Sequence, residues 1–256
     1  MNVDINDSKR RSINFLFWNI GKNINAFSFV IELINDYSID VCIIAEFPDK
    51  KKDDFKNLLP SEYVMHRSNS TKNRLEYIHH QSIKIESIEE CVQTRGSAKI
   101  LYVNEMVQVI LIGCHLIDPR NNSYDDRESS ARYFASFIKE VEHRMNNYNT
   151  IVVGDFNLNP FDTVMVACDG FHSVMDLKTA KRNSRIIRGK ELSYFYNPMW
   201  YFFGHPEKPN GSYYYRKSYN TYYWHIFDQV LIRPALLNYF QRQSLEIVNQ
   251  TKKHSL

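Results

Sequence analysis

Asn19, Glu46, His115 and the pair Asp155/Asn157 each stand at or just beyond the last apolar residue of a short hydrophobic run. Singly, each has an ordinary structural use: Asn and Asp favour turns, Glu46 can face solvent, and a lone His is commonly a hydrogen-bonded structural residue. Their recurrence at four run ends is the signal. Together they supply hard oxygen ligands suited to Mg²⁺ or Mn²⁺ plus an imidazole, the side-chain set that hydrolysis of a phosphate ester requires.

The elements that must position them can be read from periodicity. Ile13–Trp18 reads as a buried strand, followed by Phe27, Val30, Ile31 and Ile34 at helical spacing. Val41–Ala45 is too short for a helix and completes a strand-helix-strand crossover ending at Glu46. Lys99–Val103 and Val107–Gly113 form a candidate hairpin across Asn104 and Glu105, with His115 just past the second strand. From about Asp126 to Met145 a helix carries Ala131, Phe134, Ile138, Val141 and Met145 on one stripe. Thr150–Val153 is again a β-branched run, broken by Gly154 directly before Asp155. Residues 178–190 hold six basic side chains, Lys178, Lys181, Arg182, Arg185, Arg188 and Lys190, without periodicity, and read as an exposed loop.

Phe17-Trp18-Asn19-Ile20, Ala45-Glu46, Cys114-His115-Leu116 and Gly154-Asp155-Phe156-Asn157 occur in the order and approximate spacing of the endonuclease/exonuclease/phosphatase superfamily motifs, which this chain resembles. Trp224–Leu231, with Asp228, is similar to the family's penultimate motif. Asn197–Trp200, Gly211–Tyr215 and Phe227-Asp228-Gln229 look closer still to a bacterial subgroup. The resemblance covers about residues 13 to 232. It implies a four-layer α/β/β/α sandwich of two packed mixed sheets flanked by helices, with residues 1–12 a polar tail and 13–256 a single domain. It also implies Glu46 as the main ligand of a Mg²⁺ or Mn²⁺ ion and Asn19 as a ligand through water or a positioner of that carboxylate. His115 would contact the phosphate or assist the leaving oxygen. Asp155 would orient or deprotonate water, and Asn157 would hold the phosphate. Asp228 would orient a terminal histidine.

The family closes with a Ser-Asp-His strand, whereas no Asp-His dipeptide occurs in this sequence. The domain is therefore expected to lack its last strand, and this 256-residue form to hydrolyse little until extended through that strand. His254, 26 residues after Asp228, is the alternative imidazole, with Lys253 where the family carries an acid. His225, three positions before Asp228, should face away from it.

The implied activity is divalent-metal-dependent phosphoester hydrolysis of the nuclease type. A small-molecule or lipid-headgroup phosphoesterase is one alternative, and a catalytically impaired phosphate- or nucleic-acid-binding module another. The basic stretch, with Tyr194, Phe195 and Tyr196 nearby, could hold a phosphate backbone and stack bases, or be a solvated loop beside core aromatics. A formal charge of +3 does not choose a partner. Four scattered cysteines without a CxxC pair suggest neither a zinc site nor a disulfide framework. No run nears the about 18 apolar residues of a spanning helix, and no secretion signal is visible, so a cytoplasmic protein without membrane insertion is expected.

Overall fold

The structure, a computed structural model, describes residues 2–3, 12–66, 75–104, 106–216 and 223–255. Strands β1 (Asn2–Val3), β2 (Ile13–Asn19), β3 (Val41–Ala45), β4 (Tyr63–His66) and β5 (Leu75–His80) belong to a first sheet. Strands β6 (Lys84–Cys91), β7 (Gly96–Tyr102), β8 (Gln108–His115), β9 (Thr150–Asp155) and β10 (Ser173–Val174) follow in a second. After a separate hairpin, β11 (Ser184–Ile187) with β12 (Lys190–Ser193), the chain adds β13 (Phe195–Tyr196) to the second sheet. A two-stranded arm comes next, β14 (Tyr213–Tyr214) with β15 (Trp224–His225). Strand β16 (Asp228–Ile232) completes the second sheet and β17 (Phe240–Gln241) returns to the first. The helices that matter for packing are α1 (Ala26–Asp36), α2 (Lys52–Lys56) and α3 (Tyr124–Met145).

The first sheet runs β17-β1-β2-β3-β5-β4 and the second β10-β13-β16-β9-β8-β7-β6, both mixed. Side-chain alternation explains the layering. Val41, Ile43 and Ala45 of β3 point between the sheets, where they meet Leu111, Ile151 and Val230. Cys42 and Ile44 point outward and are covered by Phe27, Val30 and Ile34 of α1. On the far side, Ala131, Phe134, Ile138 and Val141 of α3 cover Ile110, Ile112 and Val152. The result is the α/β/β/α order. It leaves β3 buried on both faces, which is why it reads as a continuous apolar run.

Local chemistry sets the boundaries. Helix α3 starts at Tyr124, two residues before the expected Asp126, because Ser123 and Asp126 form a reciprocal capping box. It ends at Asn146 in the left-handed conformation, and Met145, the last residue of the stripe, is exposed. The sheets are tied together by Tyr77, whose hydroxyl donates to the Ser97 carbonyl and accepts from the Gly113 N–H, each at 2.8 Å. A Cβ at residue 113 would lie 2.4 Å from that hydroxyl, so glycine is required there.

Residues 178–190 are not a plain loop. A helical turn, Leu177–Ala180, leads into the β11–β12 hairpin, which closes through Arg188 and Gly189, both at positive φ as a two-residue hairpin turn demands. In the hairpin joining β7 and β8, Asn104 accepts from the Met106 and Val107 N–H groups, while Glu105 lies outside the described residues, as do residues 4–11 of the expected tail.

Candidate active site

Asn19, Glu46, His115, Asp155, Asn157 and Asp228 all line one open cleft of about 1170 Å³ at the ends of β2, β3, β8, β9 and β16. The register of the sheets brings them there. Asn19 pairs with Ala45 in parallel β2 and β3, so Glu46 follows beside it. His115 pairs with Asp155 across parallel β8 and β9, and Asp155 with Asp228 across antiparallel β9 and β16. Glu46 and Asn157 adopt left-handed backbone, at φ 50 and 52. For non-glycine residues this costs on the order of 1–3 kcal/mol and is held only where the surroundings impose it.

The Asn19 amide donates to Glu46 Oε1 at 3.3 Å and to Asp155 Oδ2 at 2.9 Å, while its oxygen accepts from the Gly21 N–H. Of the two roles left open for Asn19, this geometry fits the positioning one. His115 Nε2 lies 3.4 Å from Glu46 Oε1 and 3.9 Å from Asp155 Oδ2, whereas its Nδ1 is buried and meets no hydrogen-bond partner among the described residues. The other Asp155 oxygen accepts from the Asn157 N–H at 2.9 Å. The Asn157 side-chain amide donates to the Leu116 carbonyl, leaving one N–H for a further acceptor. Arg127 of α3 holds the Asn157 carbonyl at 2.8 Å.

Burial holds the His115 imidazole below its ordinary range, against the pull of Asp155 and Glu46, which favours the neutral ring. Burial lifts Asp155 above the usual carboxylate range. It lifts Asp228 much further, with the neighbouring charge of Asp155 adding to the effect. Among the described residues no three His, Cys, Asp or Glu side chains are grouped to hold a metal by themselves. The donors present therefore fit a hard ion that keeps water and takes one or two carboxylates, Glu46 foremost, rather than a caged zinc.

Several lining residues escaped the sequence reading. Arg120 flanks the cleft and donates to Asp118, and both follow His115 so closely that the Asp118-Pro119-Arg120 run was the available signal. Ser212 accepts from the Phe227 and Asp228 N–H groups and hydrogen-bonds the Asp228 carboxylate. The motifs around Asn197 and Gln229 interlock: Asn197 donates to Gln229, which donates in turn to the Leu158 and Ile226 carbonyls and braces the loop carrying Asn157. His225 packs on Asn159, away from the catalytic cluster. His254 lies against α1, 3.7 Å from Glu32 and beside Phe29, outside the cleft lining, so it does not orient on Asp228. Tyr194, Phe195 and Tyr196 are buried and none of residues 178–190 lines the cleft, which removes the base-stacking role considered for that stretch.

The fold is that of endonuclease/exonuclease/phosphatase proteins. D. rerio TDP2 complexed with single strand DNA product aligns over 89% of this chain and 84% of its own, at 20% identity and TM-score 0.57. An endonuclease/exonuclease/phosphatase family protein from Bacteroides thetaiotaomicron aligns over 88% and 84%, at 11% identity and TM-score 0.58. A mannosyl-6-phosphatase from the same organism aligns over 88% and 86%, at 12% identity and TM-score 0.56. No family model and no curated sequence relative matches the chain.

Proposed function

We propose that the chain hydrolyses phosphate esters with a divalent metal, Mg²⁺ or Mn²⁺, as a nuclease-type phosphodiesterase. The observation carrying this reading is the single Asn19 amide that bridges Glu46 and Asp155, with His115 Nε2 facing both carboxylates, at the ends of four neighbouring strands. Glu46 would hold a Mg²⁺ or Mn²⁺ ion, which when bound would supply Lewis-acid polarisation of a phosphoryl oxygen. Asp155, fixed through both oxygens and made more basic by burial, orients water and takes its proton. The free Asn157 N–H and neutral His115 steady the phosphoryl oxygens and the leaving oxygen. Asp228 braces the Asp155 side of the cleft from the adjacent strand.

The test is metal-dependent hydrolysis across DNA, RNA and small phosphoesters, with Asp155→Ala alongside. The expected result is turnover that requires the metal and falls about 10²- to 10⁴-fold in Asp155→Ala. Unchanged turnover in that variant would refute the assignment. One observation favours a second reading, a module that binds phosphate esters without turning them over. Among the described residues the Asp228 carboxylate is met by the Ser212 hydroxyl and by no imidazole. Metal and substrate binding without product release would select it.

A further inference from the structure

The chemistry of the cleft leaves the basic stretch at residues 178–190 unused, and the topology places it far from the catalytic residues. Strand β16 runs from Asp228 at the cleft to Ile232, a length of about 13 Å. At that far end Ile232 pairs with Tyr196 of β13, and Arg233 donates to the carbonyl of Ser193, the last residue of β12. The β11–β12 hairpin is therefore rooted at the opposite end of the second sheet from the cleft.

A two-stranded ribbon is marginally stable in water by itself, and this one is held at its base. Arg185 Nε donates to His172 Nε2 at 2.8 Å, and the Tyr194 N–H donates to the Asn183 carbonyl at 2.9 Å. Since Arg185 turns toward the body of the protein, alternation turns Ile186 away from it, and Ile186 is 76% exposed. A second aliphatic side chain, Met175, stands 59% exposed just before the Leu177–Ala180 turn.

The charge around these apolar groups has one sign. All six basic side chains of residues 178–190 are exposed, the stretch has no Asp or Glu, and none of the six forms an ion pair with a carboxylate among the described residues. The flanking acids are engaged within the element: Asp176 accepts from the Thr179 N–H and Glu191 from the Ser184 hydroxyl. Charges that only guard a free strand edge need no apolar residue among them, and Lys178 belongs to a helical turn, not to an edge. The complement of this face is an anionic surface. Ile186 and Met175 gain nothing from a hydrated phosphate backbone, and the nearby rings that could stack on bases, Tyr194, Phe195 and Tyr196, are buried. At the headgroup level of a bilayer the same aliphatic groups meet hydrocarbon, and the cations meet lipid phosphates.

We propose that the β11–β12 hairpin and the turn before it form a docking surface for a bilayer of anionic phospholipid, with Ile186 seated among the headgroups. Such contact is peripheral and reversible, because one isoleucine and a few cations bind far less tightly than a spanning helix. The lipid is a tether and not the substrate, since a hairpin resting on the bilayer leaves the cleft at the other end of the sheet open to solvent. The inference goes beyond the phosphoester reading and stands without it.

Co-sedimentation of the whole chain with vesicles tests it, using phosphatidylcholine alone and phosphatidylcholine with about one third phosphatidylserine. The wild type should bind the anionic vesicles and not the neutral ones, and should release them as salt rises from about 0.1 M to about 0.5 M. Lys181→Gln, Arg182→Gln and Lys190→Gln combined should weaken partitioning about 10- to 100-fold, and Ile186→Ser about 5-fold or more. Ile186→Leu, which keeps the apolar bulk, should bind within about twofold of the wild type. Urea unfolding checks that each variant folds. Equal binding of the wild type to both vesicles, or to neither, would overturn the proposal without any variant. Binding to anionic vesicles that either the charge variant or Ile186→Ser leaves intact would overturn it as well. Capture of a duplex DNA of about 20 base pairs in place of the vesicles, sensitive to the charge variant and not to Ile186→Ser, would assign the ribbon to a phosphate backbone and end the lipid reading.

Discussion

Both N–H bonds of the Asn19 amide point at carboxylates, and that single residue fixes the distance between the groups argued to hold the metal and to activate water. Its own oxygen is engaged by the Gly21 N–H, so Glu46 is left as the charged donor beside it. Glu46→Gln keeps the size and an acceptor for Asn19 but removes the charge. Mg²⁺ or Mn²⁺ affinity should therefore fall by about tenfold or more with the fold unchanged. Titration calorimetry on the two proteins checks this, and equal affinities would take Glu46 out of the metal shell. Five of the cleft residues were legible because each stands at or just past the end of a recognisable run, and Asp228 through the resemblance of its motif alone. Ser212 and Arg120 were not, since the contact between Ser212 and Asp228 spans 16 residues and is created by the arm folding back.

At the level of elements, legibility followed burial. Strand β3 has the bounds its apolar run announced, and α3 differs by its cap alone. Among the described residues the stretch from Tyr63 to Cys91 holds three strands, which were unread because polar residues occupy interior positions. Glu76 is buried in an ion pair with Lys52 of α2, and Lys99 is buried against the Ser87 hydroxyl and over the Tyr77 ring. The β11–β12 hairpin hid for the opposite reason: neither of its faces is buried, so no alternation marks it. One buried pair ties such weakly signalled pieces to the core. Arg233, just past β16, makes two contacts with Glu142 of α3, at 2.8 and 2.7 Å, and also donates to the Ser193 and Tyr194 carbonyls. Glu142→Ala leaves that guanidinium buried without its counter-charge and should destabilise the protein by about 3–5 kcal/mol. Urea unfolding reads the loss directly, and a change below about 1 kcal/mol would show that solvent reaches the pair.

Across the whole molecule, imidazoles are lodged in several separate places: His79 in the first sheet, His172 beside β10 and His115 in the cleft, all buried. Burial holds the pKa of each below the ordinary histidine value. His172 is the cleanest case. Its Nδ1 donates to the Ser193 carbonyl and its Nε2 accepts from Arg185 at 2.8 Å, an arrangement open only to the neutral ring. A second proton would have to displace Arg185 and sit among the charges of Arg185, Lys139 and Arg233. The unfolded chain therefore binds more protons than the folded one just below the ordinary histidine value. Stability is present above that value and is lost as pH falls through it toward the folded pKa. Asp162 and Glu76 act in the opposite sense, because burial raises both and the folded state favours their protonated forms on acidification. Comparing variants separates the two contributions. Between about pH 7.5 and about pH 5.5, metal-free wild type should lose more stability in urea than His172→Gln, whose side chain cannot take the proton. Parallel losses in the two proteins would mean that His172 is charged in the fold and that Arg185 does not rely on it as an acceptor.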